Sequence, residues 1–369
     1  MADVLTPDEV SRRLSVATNG EAVDIPQEEE EEFEPKRWSL TKSVVDNLVG
    51  FIQNPSERWY LGFNEIDLAT RGIGKGEVLM VVGRSHTGKS QMLLNSIVSN
   101  LINHPEAHIV IFSMDEPREL VAMKLYCLLK GRSSTDVEES IKNLEPETLD
   151  DLAEASEQEL SRVAIIDESF PLEQMAEVMD EIREWWGVNP SFCMIDYLEL
   201  LPGGDSDATG VTTKAQAVKR WAKTQRVPVG LVHQAGRGSG DKGKAAGLYA
   251  GRYGGEQEAI FVIEVYRQRD RYDLSQWEKT YHDNSINLNL CKNKRTARLI
   301  DQTYYLDPEF GGVHPYWEEL MPNATYRHGR RHMDTKMGGR KRQPHPRTII
   351  IQRRSRTIRS NQNRQLAVT

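Results

Sequence analysis

Cysteine is scarce in this chain: 369 residues hold three, Cys127, Cys193 and Cys291, scattered and without the spacing of a metal site. An odd count without pairs argues against a disulfide framework and for a reducing compartment. Long apolar runs are missing too. No stretch approaches the ~20 residues that a membrane-spanning helix needs. The opening "MADVLTPDEVSRR" is too polar for a signal peptide. These absences predict a cytoplasmic protein with inert thiols and no membrane partner.

Acid is almost absent from one end. From Tyr326 to Thr369 there are 13 Lys and Arg against the single acid Asp334, whereas residues 1–325 carry 34 basic and 54 acidic residues. The body therefore has a net charge of −20, which the overall −8 conceals. The tail has few large apolar residues and no sustained period, so it is predicted to be unstructured and suited to gripping a phosphate backbone. Near the other terminus "PQEEEEEFEP", Pro26 to Pro35, is an acidic low-complexity segment. In "WSLTKSVVDNLVGFIQ", Val45, Leu48, Val49 and Ile52 share one helical face, with Ser39 or Thr41 as a cap. We therefore divide the chain into a disordered acidic segment (1–37), a linker helix (38–60), a folded domain (61–325) and a basic disordered tail (326–369).

Between these ends, strand and helix patterns alternate. Strand candidates are "EVLMVV", "HIVIFS", "RVAIID", "SFCMID", "VPVGLV", "AIFVIEV" and, as the last, "INLNL", with helical patterns between the earlier ones. That alternation predicts an α/β fold with a mostly parallel central sheet flanked by helices. Ligands of such sheets bind beyond the carboxyl ends of the strands.

"VVGRSHTGKS" follows that rule. Gly83, Arg84, Ser85, His86, Thr87, Gly88, Lys89 and Ser90 fit the phosphate-binding loop G-x-x-x-x-G-K-[ST], with an apolar strand before it and an amphipathic helix after it. In such a loop the backbone N–H groups point at phosphate oxygens, Lys89 reaches the β- and γ-phosphates, and the Ser90 hydroxyl ligates Mg²⁺. ATP and Mg²⁺ are therefore the expected cofactors.

Other strand ends carry further candidates. "FSMDEP" offers Asp115 and Glu116 to orient and polarise an attacking water. "VAIIDES" and "CMIDYLELL" end in Asp167 and Asp196, and pattern alone does not decide which holds the metal-bound water. After "VPVGLV" come His233 and Gln234, and Gln234 can sense a γ-phosphate. No ligand cluster surrounds His233, which argues against metal binding. The Gly- and Lys-rich stretch that follows supplies Arg237, Lys242, Lys244 and Arg252 as DNA-binding candidates. "INLNL" leads into Lys292, Lys294 and Arg295, cations able to stabilise transition-state charge within one subunit or across a boundary.

In this order the motifs resemble the RecA-like core of the DnaB-type replicative DNA helicases, over about Leu61 to Leu306. "FSMDEP" is similar to the family's Phe-Ser-Leu-Glu-Met-Pro run, "IIDESFPLEQMAEVMDEI" to its Ile-Asp-Asp-Thr-Pro helix start, "MIDYLELL" to Ile-Asp-Tyr-Leu-Gln-Leu, and "VHQAGR" to Ser-Gln-Leu-Asn-Arg. The resemblance implies that Asp196 is the metal-side (Walker B) aspartate and Asp167 the non-catalytic one. It implies that Asp115, with Glu116 beside it, takes the place of the catalytic Glu, and that Gln234 is the sensor. The family's Lys-x-Arg finger falls on Lys292 and Lys294 in strict register, or on Arg295 after a one-residue slip.

The family's N-terminal helical domain has no counterpart, which suggests a minimal, phage-like form without primase contacts through that domain. The function so implied is ATP-driven translocation on single-stranded DNA by a homohexameric ring, with replication or recombination proteins as partners. The alternatives are a RecA-like recombinase built on the same core and an ATPase switch that reports nucleotide state.

Overall fold

A computed structural model of the protein describes residues 58–203, 208–236, 243–249 and 254–314. Both predicted tails, the linker helix up to residue 57, and Arg237, Lys242 and Arg252 lie outside the described residues. At the end of the 38–60 span the backbone is extended: β1 (Arg58–Trp59) pairs antiparallel with β2 (Ile73–Gly74) around α1 (Asn64–Thr70).

β3 (Val78–Gly83) is buried along its whole length because its apolar run is covered on both faces. The pleat sends Leu79 and Val81 to one side, against Met92, Leu93, Ile97 and Leu101 of α2 (Lys89–Asn103). It sends Val78, Met80 and Val82 to the other, against Val211, Ala215, Val218 and Ala222 of α7 (Ala208–Gln225). The second layer also holds Met175 and Met179 of α6 (Leu172–Trp186). Each fully buried Leu, Ile or Met in these layers contributes about 2 kcal/mol. Trp59 fixes β1 to this frame, stacking on Phe192 at 4.3 Å and donating its indole N–H to Ser96 Oγ at 2.9 Å.

The remaining strands are β4 (Ile109–Ser113), β5 (Val163–Ile166), β6 (Phe192–Asp196), β7 (Val229–Gln234), β8 (Phe261–Tyr266), β9 (Ser285–Asn293), β10 (Ile300–Leu306) and β11 (Val313–His314). The nine-stranded sheet has the order β11-β10-β9-β8-β3-β7-β6-β4-β5. β8, β3, β7, β6, β4 and β5 are parallel, and β9, β10 and β11 extend the sheet antiparallel. α3 (Arg118–Lys130), α4 (Ser134–Lys142) and α5 (Pro146–Glu157) fill the connection from β4 to β5 and enclose a small core of Tyr126, Cys127, Val137 and Ala155.

All seven predicted strands are present, but "INLNL" is not the last. β10 and β11 follow it, and β9 itself runs on through Asn293, so Lys292 is a strand residue and only Lys294 and Arg295 lie in the turn. β10, "IDQTYYL", is buried mainly at Tyr304 and Tyr305, so it lacks the continuous apolar run that marks the central strands.

Candidate functional site

The carboxyl ends of β3, β7, β6 and β4 lie side by side, so one edge of the sheet gathers the residues that follow them. The loop after β3 can only be built with glycine at Gly83, where a Cβ would lie 2.5 Å from Val265 O and 2.6 Å from Thr87 Oγ1. Gly88, with φ of 101°, caps α2 in the left-handed region that a side chain disfavours, and His86 shares that region at φ 62°. Thr87 Oγ1 and Lys89 Nζ both donate to Arg84 O, at 2.9 Å each, closing the loop on itself. Burial lowers the Lys89 pKa, opposed by the charges of Asp196, Glu199 and Asp115.

Ser85, His86, Gly88, Lys89 and Ser90 line a cleft of about 530 Å³ together with Gln91, Asp115, Glu116, Lys124, Asp196, Tyr197 and Gln234. Asp196 closes its floor at the end of β6. It is 7% exposed, and burial raises its pKa to about 6 although the Ser90 hydroxyl and the Lys89 charge both favour the carboxylate. A buried carboxylate facing a Ser hydroxyl and a Lys at a helix N-terminus is a donor set suited to a divalent cation with a polyphosphate, since the cation would offset the carboxylate and the Lys the phosphate.

Asp167 is elsewhere. It follows β5 at the sheet edge, accepts the Arg118 backbone N–H at 3.1 Å and is ion-paired with the Arg118 guanidinium, which lowers its pKa. The two aspartates that pattern could not separate thus differ in position: one faces the phosphate loop, the other the start of α3.

Asp115 and Glu116 also differ. Both Glu116 oxygens accept from Lys124 Nζ at 2.5 Å, while exposed Asp115 lines the cleft without an ion pair among the described residues. Sequence reasoning missed Lys124, which lies within α3, eight residues after its partner, and in no motif. Gln234 donates from Nε2 to Ser85 Oγ at 2.7 Å, which ties the end of β7 to the phosphate loop.

The cationic cluster lies at the opposite edge. Asn293 pairs with Phe261, the first residue of β8, which sits level with Leu79 of parallel β3, while the phosphate loop leaves β3 after Gly83, ~13 Å away at 3.3 Å per residue. Lys292 Nζ donates to Glu256 O at 2.7 Å and Gln257 O at 2.8 Å, and burial lowers its pKa to about 8. Lys294 Nζ reaches Gln257 O at 3.2 Å. Arg295 is engaged within its own chain: its guanidinium donates to Thr70 O at 2.6 Å and to Gly72 O, pairs with Glu77 at 2.5 Å and lies 5.1 Å over the Phe261 ring.

Of the DNA-binding candidates, Lys244 is described. It lies 3.7 Å from Asp273 and 5.8 Å over the Tyr272 ring, in a segment moored where Glu264 accepts the Ala246 and Gly247 N–H groups at 2.7 and 2.9 Å. Among the described residues no group of three or more His, Cys, Asp or Glu could hold a metal by itself, and no helix is long and apolar enough to cross a membrane.

A twisted, largely parallel sheet with a glycine-shaped phosphate loop at the carboxyl edge of a central strand defines a P-loop nucleotide-binding fold of the RecA-like kind. The chain matches the DnaB-like helicase C-terminal domain over residues 60–302, and it belongs to that family. It is 26% identical over 241 residues to the replicative DNA helicase DnaC of Bacillus subtilis, covering 63% of this chain and 51% of that one. It is likewise 26% identical over 218 residues to the replicative DNA helicase DnaB of Leifsonia xyli, covering 56% and 46%. The chain thus spans about half the length of these relatives.

Two of the solved structures that share the fold serve as examples. One is a DnaB-like replicative helicase described with its interactions with primase, with a TM-score of 0.60 at 17% identity, covering 83% of this chain and 71% of that one. The other is an isolated ATPase domain, with a TM-score of 0.62 at 17% identity, covering 76% and 99%.

Proposed function

We propose that the protein is an ATP-dependent replicative DNA helicase, translocating on single-stranded DNA as a ring of identical subunits. The observation that carries this reading is the convergence of Lys89, Ser90, Asp115, Asp196 and Gln234 on one cleft at the carboxyl edge of the sheet. Membership of the DnaB-like family favours the helicase over a recombinase or a switch. Bound Mg²⁺-ATP supplies the phosphoryl group to be transferred and the cation that neutralises its developing charge.

In this reading the Gly83 to Gly88 backbone cradles phosphate oxygens, Lys89 contacts the terminal phosphates, and Ser90 and Asp196 hold the metal side. Asp115 orients the attacking water and accepts its proton, while Glu116 is held by Lys124 and shapes the charge of the cleft. Gln234 links the terminal phosphate to the loop after β7, where Arg237, Lys242, Lys244 and Arg252 contact the DNA backbone. Of the cations after β9, Lys294 serves a neighbouring subunit's nucleotide better than Arg295, whose fork is already occupied.

The test is turnover and unwinding of a forked DNA by the purified chain. ATP hydrolysis stimulated by single strands, together with strand separation that needs a free tail, supports the reading. Hydrolysis with strand pairing and no unwinding would move the protein to the recombinase class.

A further inference from the structure

Beneath the sensor strand lies a Glu–His contact that this mechanism does not use. Strand alternation points Val229, Leu231 and His233 toward the α6 and α7 layer, opposite the phosphate loop. His233 is 0% exposed, and neither ring nitrogen has a well-directed hydrogen-bond partner among the described residues. Glu199, in the short 3-10 turn Leu198–Leu200 just past Asp196, brings Oε1 to within 3.1 Å of His233 Nδ1, off the axis of a hydrogen bond, and its Oε2 is buried without a hydrogen-bond partner. The same Oε1 accepts the backbone N–H of Gln234 at 3.0 Å. Lys214 of α7 donates to the Glu199 carbonyl at 3.2 Å, and the Glu199 charge is felt at Lys89.

A largely enclosed carboxylate beside a fully buried imidazole, neither fully satisfied, is costly and needs a reason.

We propose that Glu199 and His233 are a matched pair of positioning residues that set the height of Gln234 over the phosphate loop. Glu199 is the link: it holds the Gln234 main chain directly, and it sits in the turn that leaves the metal-side Asp196. His233 holds Glu199 from the far face of the sheet. A shift of Asp196 is thereby passed to Gln234, and from Gln234 Nε2 to Ser85. Either residue alone lacks its counterpart: Gln at 199 leaves the buried imidazole without a charge to face, and Ser at 233 leaves the carboxylate buried and uncompensated.

The inference rests on the ATP-turnover reading of the cleft, so parental turnover is measured beside the variants. Glu199→Gln, His233→Ser and the double variant are compared for single-strand-stimulated kcat, affinity for a fluorescent ATP analogue and melting temperature. Each single change lowers kcat about tenfold while nucleotide affinity stays within about twofold, because Gln234 is misplaced and the phosphate loop is not. The double variant recovers turnover above either single, a return that loss of folded protein would not produce.

Singles at parental kcat, or a double no better than the worse single, overturn the pairing. A parent that turns over ATP while the singles are insensitive overturns this inference alone. A parent without turnover overturns the proposed function and this inference with it.

Discussion

Replacing Arg295 by alanine separates two roles that the sequence left superposed. If the guanidinium is a structural tie, its loss frees Thr70 O and Gly72 O, removes the partner of Glu77 and uncovers one face of Phe261. A hydrogen bond to a charged group contributes about 1.5–3 kcal/mol, and a cation over a ring about 0.5–1 kcal/mol. Glu77 keeps the Gly74 N–H at 2.7 Å, and with side-chain exposures of 17% for Arg295 and 24% for Glu77 the pair falls short of the full cost of a broken buried bridge. We therefore expect a loss of about 3 kcal/mol, or ~6–12 °C in melting temperature for a domain of this size.

The assay is thermal melting of Arg295→Ala and Lys294→Ala, followed by mixing each with a Lys89→Ala protein and measuring turnover. Arg295→Ala should melt early and gain nothing from mixing beyond its folded fraction. Lys294→Ala should melt like the parent, and mixing should restore part of its lost turnover. An Arg295→Ala protein with parental melting, lost turnover and recovery on mixing would refute the structural assignment and make Arg295 the cation acting across the interface.

Further outcomes are expected. Lys89→Ala should lower ATP turnover by at least ~100-fold with an unchanged circular dichroism spectrum, since it removes a charge that acts on the reacting phosphates; parental turnover would sink the phosphate-loop reading. Asp196→Asn should abolish Mg²⁺-dependent turnover, while Asp167→Asn, distant from the cleft, should leave it near parental; equal defects would reverse the choice of metal-side aspartate. Removing Tyr326 to Thr369 should flatten the log-log salt dependence of single-strand binding by ~0.7 for each phosphate that the tail neutralises, and an unchanged slope would assign the tail another partner.

Asp67, whose carboxylate accepts the Leu61 and Gly62 N–H groups at 2.8 Å each, has its pKa raised by burial to about 6. The native state then holds a proton that the unfolded chain releases near pH 4, so stability falls as pH rises between about 4 and 6, by at most ~3 kcal/mol. Urea unfolding across that range should show this slope in the parent and lose it in Asp67→Asn, and identical slopes would remove Asp67 as the cause.

The central sheet was legible because strands covered on both faces must be apolar throughout, and "EVLMVV", "HIVIFS" and "SFCMID" have no other good use in a helix-flanked layer. β10 was not, because an antiparallel strand near the sheet edge needs only a few apolar side chains, and Tyr304 and Tyr305 next to Ile300 read equally well as a loop. The turn after β3 was legible as a glycine-shaped loop because its backbone excludes a side chain at Gly83 and disfavours one at Gly88. The tie between Asp167 and Asp196 is a question of strand order, which composition does not encode. β6 lies two places from β3, with β5 beyond it at the edge. Lys124 and Glu199 escaped because no motif marks either of them, and His233, named at its strand end, carries no sign in the sequence of its contact with Glu199 on another element.

The two edges of the sheet give the proposed assembly a chemical reason. Lys89, Ser90, Asp115, Asp196 and Gln234 all belong to the carboxyl edge, whereas Lys292 and Lys294 belong to the amino edge of β8, ~10 and ~16 Å along the strands from their own phosphate loop. No side chain spans either distance, so within one subunit these lysines have no route to the reacting phosphate. They can act on phosphate only if a second subunit presents its carboxyl edge to this amino edge, the head-to-tail contact that closes rings or winds filaments. Hydrolysis would then depend on protein concentration in a way that a self-contained ATPase does not. Turnover per subunit should rise steeply through the assembly range in the parent. In Lys294→Ala, with the cation gone from every interface, it should stay flat even where sedimentation shows the same assembly. A parental concentration dependence in that variant would mean that assembly activates the cleft by some contact other than the amino-edge lysine.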